Sequence, residues 1–183
     1  MTERILYLIG FPGAGKSTVG REVARLLTLA FFDLDEIVER ESERSISEIF
    51  RLEGEGGFRL RETEALRGLA IPGGAVVALG GGTWCFEENR TIAAARGVAV
   101  WLDCSLRICL ERTRAPERPE RPLLQDPESV RRIYEIRKSD YRRASFRVET
   151  DSRAPAESAR AIAEWFSGLD GPRANPLSAQ PFH

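Results

Sequence analysis

Histidine is almost missing from this sequence: of 183 residues, only His183 carries an imidazole. Acid–base chemistry built on histidine is therefore not expected. Cysteine is scarce too. Cys85, Cys104 and Cys109 are odd in number and lack metal-ligand spacing. They read as buried free thiols in a reducing compartment, which makes the cytoplasm the expected location. Lysine is confined to Lys16 and Lys138 among 27 basic residues, so nearly every cation is an arginine. No apolar run approaches the roughly 18 residues that a membrane span needs. Met1-Thr2-Glu3-Arg4 leads straight into a strand pattern, so no signal peptide is expected. The 27 basic residues meet 28 acidic ones, for a net charge of -1. That balance offers no excess charge to a nucleic acid or a membrane surface.

The composition that remains, 42% hydrophobic and 30% charged, is that of an ordinary globular chain, long enough for one compact domain. Strand and helix patterns alternate along it. Residues 4–9 form a short apolar run ending at Gly10, as a buried parallel strand does. Residues 16–29 place Val19, Val23, Leu26 and Leu27 on one helical face. Phe31 to Asp35 reads as a second strand ending in acids, followed by helices over 36–43 and 45–52. Ser45 and Glu48 have the spacing of a capping box. Gly54, Gly56 and Gly57 interrupt the pattern before a helix over 58–70. Further strands are expected at 75–79, 98–102 and 145–149, and helices at 87–96, 105–112, 127–143 and 155–166. Residues 113–122 are rich in Pro and Arg and fit neither a helix nor a central strand. From 168 to 183 the chain is Gly/Pro/Ser-rich without periodicity, the composition of a disordered tail.

Five strands joined by helical crossovers predict a three-layer α/β/α sandwich around a five-stranded parallel sheet, in a single domain over residues 1–167. Ligands in such sheets lie at the C-terminal strand ends. The unusual segments all fall there: Gly10 to Ser17, Asp33 to Asp35, and Gly80 to Gly82.

The first of these, Gly10-Phe11-Pro12-Gly13-Ala14-Gly15-Lys16-Ser17, fits G-x-x-x-x-G-K-[ST] between a strand and a helix. Glycines there let backbone N–H groups turn inward around phosphate oxygens. The Lys16 ammonium suits the β- and γ-phosphates, and the Ser17 hydroxyl suits Mg²⁺. This implies a nucleotide phosphate site, but a kinase, a GTPase and an ATP-driven machine all share it. No guanine-reading N-K-x-D segment is present. Asp33 and Asp35, two apart on a strand end, are expected to point the same way, toward a metal and substrate hydroxyls. The alternative is a helix cap at Asp35 with Asp33 merely solvated. Gly80-Gly81-Gly82 permits close backbone approach to a ligand, or is simply a flexible turn. Glu62 lies one helical turn beyond Arg59 and can hold its guanidinium, although such pairs are commonly surface ion pairs.

The ordered set of Gly10 to Thr18, Asp33-Leu34-Asp35, Arg44-Ser45-Ile46, Gly54-Glu55 with Phe58-Arg59, Gly80-Gly81-Gly82, Arg121-Pro122-Leu123-Leu124, and Arg137 with Tyr141-Arg142 resembles the shikimate kinase family. The resemblance spans residues 4–166. It implies a P-loop kinase with a mobile lid over about 113–123 and an acceptor-binding helical segment over about 34–62. It implies transfer of the γ-phosphate of ATP to the 3-hydroxyl of shikimate, with Mg²⁺, in the chorismate and aromatic amino acid pathway. ATP and shikimate are the implied partners; an isolated compact domain makes a monomer the expected state, and the charge balance leads to no nucleic-acid or membrane partner. Gluconate, another small polyol acid, is the alternative acceptor.

Residue by residue, the resemblance implies that Gly13, Ala14, Gly15, Lys16, Ser17 and Thr18 bind ATP, with Arg112, Arg121 and Arg153. Lys16, Asp33 and Arg121 would be catalytic, and Ser17 and Asp33 would lie at the metal. Asp35, Arg59, Gly80, Gly81, Gly82 and Arg137 would bind the acceptor, with Arg59 and Arg137 clamping its carboxylate. The sequence departs from the family at Thr83-Trp84, where small aliphatic residues are usual and the indole is expected to press on the pocket wall. It also departs at Gly56-Gly57 and in a longer lid between Arg112 and Arg121.

Overall fold

The computed structural model describes residues 4–69, 71, 73–113 and 126–169. Five strands form one sheet: β1 (Ile5–Ile9), β2 (Ala30–Asp33), β3 (Ala75–Ala78), β4 (Gly97–Asp103) and β5 (Phe146–Glu149), in the order β2-β3-β1-β4-β5. All four pairings are parallel. The sequence explains the order. β1 and β3 are buried along their whole length and made of Ile, Leu, Val, Ala and Tyr, as strands covered on both faces must be. β2 and β5 keep partly exposed side chains and take the edges.

Helices pack on both faces to complete a three-layer α/β/α sandwich. They are α1 (Lys16–Leu27), α2 (Leu34–Ser42), α3 (Ile46–Gly68), α4 (Glu87–Ala94), α5 (Leu106–Thr113), α6 (Pro127–Tyr141) and α7 (Pro155–Gly168). α1 packs against α7, and α3 against α2 and α4. One continuous core results, with Leu6, Leu8, Ile9, Leu34, Ile49, Leu66, Leu102 and Ile162 fully enclosed. Each such side chain contributes roughly 1.5–3 kcal/mol of burial. Among the described residues no helix is long and apolar enough to cross a membrane.

Two boundaries differ from expectation. The helix starting after Ser45 does not stop at 52. It continues to Gly68 with a single break, where Gly54 adopts φ 70° and ψ −175°. Gly56 and Gly57 stay helical. Glu53 bridges the break by accepting from Arg61 at 2.7 and 2.8 Å and from Arg44 at 3.2 Å. The Ser45–Glu48 capping box forms as expected. The second difference lies at Asp33 to Asp35. The strand ends at Asp33, and Leu34, which is fully buried, already opens α2.

Register aligns the strand ends. Asp33 stands beside Ala78, and Ala78 beside Leu8, so the segments leaving β1, β2 and β3 emerge in one row. The segment 114–123, which contains Arg121 and most of the expected lid, lies outside the described residues, as does the tail from 170 onward.

Candidate active site

The row of strand ends begins with the loop after β1. Gly13 sits at φ 88°, and a Cβ there would fall 2.4 Å from the Cys109 carbonyl oxygen of α5. Gly15, at φ 93°, is the N-cap of α1. At Gly13 only glycine combines this conformation with such close approach. The N-terminus of α1 has no side-chain cap and no acidic residue in its first turn. The first-turn N–H groups of Lys16, Ser17 and Thr18 and the positive end of the helix dipole therefore lie together at this loop. The Lys16 ammonium folds over the loop and donates to the Gly10 carbonyl at 2.9 Å.

Asp33 closes this half of the site. One oxygen accepts from Ser17 Oγ at 2.6 Å; the other accepts from the Asp35 N–H at 3.1 Å, capping α2. The expected pair of parallel carboxylates on a strand end is thus corrected. Asp33 is the cap, and Asp35 stands in the first helical turn. The period there is 3.6 rather than 2, because an aspartate before a buried leucine starts a helix readily. The two carboxylates serve different neighbours. Asp33 faces the phosphate loop. Asp35 approaches the glycine run, where a Cβ on Gly80 would come within 2.9 Å of its Oδ1.

The glycine run is packed against the protein's own polar groups. A Cβ on Gly80 would fall 2.3 Å from Glu62 Oε1, one on Gly81 2.7 Å from the Pro12 ring, and one on Gly82 2.8 Å from Arg59 Nη2. Pro12 belongs to the phosphate loop, so the two loops touch. Arg137 of α6 lies beside Gly81, 3.4 Å from the same constructed Cβ, with its guanidinium 5.8 Å from the centre of the Phe11 ring. Arg59 and Arg137 thus bracket Gly81–Gly82. Tyr141 of α6 donates its hydroxyl to the Gly81 carbonyl; burial pushes that phenol's pKa well above its usual value and keeps it a neutral donor.

Arg59 is only 12% exposed and donates to Glu62, which has no exposed surface, at 2.5 Å. On its other edge it donates to Glu55 at 2.9 and 3.3 Å. Burial works against its charge, but the two carboxylates outweigh it and raise its pKa above the usual value. The surface-pair reading of Arg59 and Glu62 is therefore overturned. Thr83, which begins a 3-10 turn over Thr83–Cys85, donates its hydroxyl to the other Glu62 oxygen. Trp84 of that turn is buried and donates its indole N–H to the Asp140 carbonyl at 3.2 Å, tying the glycine run to α6.

Arg112, at the end of α5, donates to the Thr150 carbonyl at 3.4 Å, and its guanidinium comes within 3.9 Å of a constructed Cβ on Gly15. Arg153 is exposed in the bend that follows Thr150. Sequence reasoning assigns no role to Thr83 or Tyr141. Their partners lie 21 and 60 residues away, and no local spacing signals such contacts.

The loop after β1 thus abuts a glycine run flanked by two guanidinium groups and a carboxylate. Comparison with known proteins places the chain in one family. The sequence model of the family described as shikimate kinase matches residues 12–167. The chain is 39% identical over 166 residues to a shikimate kinase of Buchnera aphidicola, covering 88% of this chain and 92% of that one. It is 37% identical over 153 residues to a shikimate kinase of a Sulfurihydrogenibium species, covering 83% and 91%. The structure of shikimate kinase from Acinetobacter baumannii in complex with shikimate superposes with a TM-score of 0.83 at 35% identity, covering 93% of this chain and 97% of that one.

Proposed function

The chain belongs to the shikimate kinase family, and on that premise we propose that it moves the γ-phosphoryl group of ATP onto the 3-hydroxyl of shikimate. The products are shikimate 3-phosphate and ADP, a step of aromatic amino acid biosynthesis. The observation that carries this reading is the pair of guanidiniums, Arg59 and Arg137, bracketing Gly81–Gly82 where that run touches the phosphate loop. A planar carboxylate between them matches the guanidinium fork, and an acceptor hydroxyl is then directed toward the cradle.

In this reading the acceptor hydroxyl oxygen attacks the γ-phosphorus as the bond to the β–γ bridging oxygen breaks. ADP leaves with that electron pair, and the hydroxyl proton is released by way of Asp33 or solvent. Such a reaction asks for positioning and charge neutralisation more than covalent chemistry. Lys16 and the N–H groups of Gly13 to Thr18 would hold the phosphates. Asp35 would accept from ring hydroxyls. Asp33, held in place as a cap, would lie near the attacking hydroxyl, and Arg121, which falls outside the described residues, would meet the transferred group. Arg112 and Arg153 would flank the adenine. The donor set fits Mg²⁺: Ser17 Oγ and Asp33 are hard oxygen groups 2.6 Å apart beside the cradle. Among the described residues no larger cluster of metal-binding side chains exists, as suits an ion that keeps water and phosphate ligands. Bound there, Mg²⁺ supplies charge neutralisation to the phosphates. The three unpaired thiols support a cytoplasmic enzyme, and we take it to act as a monomer.

Gluconate, the alternative acceptor, is disfavoured by the family match. An assay coupled to ADP release, run with shikimate, gluconate and nucleoside monophosphates, tests the reading. Turnover with shikimate and little with the others is expected; turnover with gluconate but none with shikimate would overturn it.

A further inference from the structure

We infer that Thr83 is a positioning residue for acceptor recognition, acting through Glu62 to hold the Arg59 guanidinium where it meets the substrate carboxylate. The inference rests on the acceptor reading above. Glu62 has no exposed surface, so water cannot complete its hydrogen bonds. Its two oxygens are divided between two partners: Arg59 Nη1 on one and the Thr83 hydroxyl on the other. A carboxylate held at both oxygens has its terminal torsion fixed. With one partner it swings within a broad well.

Thr83 is itself a rigid anchor. It is fully buried, and its N–H donates to the Gly80 carbonyl at 3.2 Å. Its own carbonyl accepts from Asn89 Nδ2 at 3.0 Å. Arg90 pins the rest of the turn, donating to the carbonyls of Trp84 and Cys85 at 2.9 Å each. A β-branched side chain on so constrained a backbone has little rotameric freedom. The other carboxylate on Arg59, Glu55, is 52% exposed and solvent-screened, so it cannot substitute for Glu62 as a locator. Removing the hydroxyl alone leaves a buried acceptor oxygen unpartnered, which is costly. The strain then falls on the Arg59 contact. Gly82, against which Arg59 packs at 2.8 Å from a constructed Cβ, shares the consequence.

The test compares steady-state kinetics of the parent chain, Thr83→Val, Thr83→Ser and Glu62→Gln, and the Thr83→Val/Glu62→Gln pair, with shikimate and ATP varied separately. Thr83→Ala is run alongside in case the valine variant does not fold. Loss of the hydroxyl is expected to raise the shikimate KM about tenfold, equivalent to about 1.4 kcal/mol. kcat should change less than threefold and the ATP KM not at all. Thr83→Ser should restore the parent value within about twofold. In the Glu62→Gln background the Thr83→Val effect should shrink below about threefold, because the two act in one chain of contacts. An unchanged shikimate KM in folded Thr83→Val or Thr83→Ala overturns the inference. So does a serine variant no better than valine, or effects that multiply in the pair. A parent enzyme inactive on shikimate removes the acceptor reading, and the inference with it, before any variant is compared.

Discussion

Replacing Arg137 and Arg59 separately by alanine separates binding from folding at the two ends of the proposed carboxylate clamp. Arg137 is half-buried, with the Phe11 ring and the Gly81 backbone as neighbours. Its removal leaves no buried charge behind. A charge-assisted hydrogen bond to a substrate carboxylate is worth about 1.5–3 kcal/mol. At about 2 kcal/mol, Arg137→Ala should raise the shikimate KM roughly 30-fold, with the ATP KM and the melting temperature nearly unchanged. Arg59→Ala removes an equivalent contact but also strands Glu62, a carboxylate with no solvent exposure, beside Thr83. Breaking a buried pair in this way costs about 3–5 kcal/mol. For a chain of this size that lowers Tm by about 6–20 °C. Steady-state kinetics with each substrate varied, and thermal melts of both variants, read the contrast. Equal melting temperatures for the two variants would refute the burial argument at Glu62. An Arg137→Ala defect confined to ATP would refute the carboxylate assignment.

Lys16→Met should abolish turnover while leaving Tm within a few degrees; retained kcat would remove Lys16 from the phosphate role. Asp33→Ala deletes both the cap of α2 and the Ser17 partner. It should cost about 1 kcal/mol of stability, measured by denaturant unfolding, together with most of the activity. A stable but inactive variant would show that the cap contributes nothing. Burial pushes the Tyr7 phenol from 10.0 up to about 12, opposed in part by Arg96. A raised folded-state pKa gives stability that is complete below pH 10 and is lost as pH climbs through about 12. The unfolding midpoint should therefore fall over about pH 10–12, and Tyr7→Phe should flatten that fall; an unchanged slope in the variant would refute the assignment.

How much of the fold and site is legible in the residues depends on the range of the interactions. The buried strands announce themselves because β1 and β3 are short, wholly apolar and punctuated by glycine. The phosphate loop is legible because backbone geometry dictates its glycines. The Asp33–Asp35 junction misleads because two residues cannot distinguish a strand's period from a helix's first turn. The burial of Leu34 decides it, and burial is a tertiary property. Gly56 and Gly57 look like a break, yet Glu53 reaches across from one side of Gly54 to Arg61 on the other and the helix resumes. The spacing of Arg59 and Glu62 is visible in the sequence. Their burial is not, since it depends on the turn at Thr83 folding over them from 21 residues away. The glycine run is legible in the sequence as a place of close backbone approach to a ligand or as a flexible turn. The groups that approach it include the protein's own Glu62, Pro12 and Arg59.

The central claim is that a small hydroxylated carboxylate sits between two arginines beside the phosphate loop. A crystal structure of the chain with shikimate and ADP tests it most directly. The account predicts the carboxylate within hydrogen-bond distance of both Arg59 and Arg137, with a ring hydroxyl on Asp35. A carboxylate bound elsewhere, with Arg59 still turned wholly to Glu62 and Glu55, would contradict it.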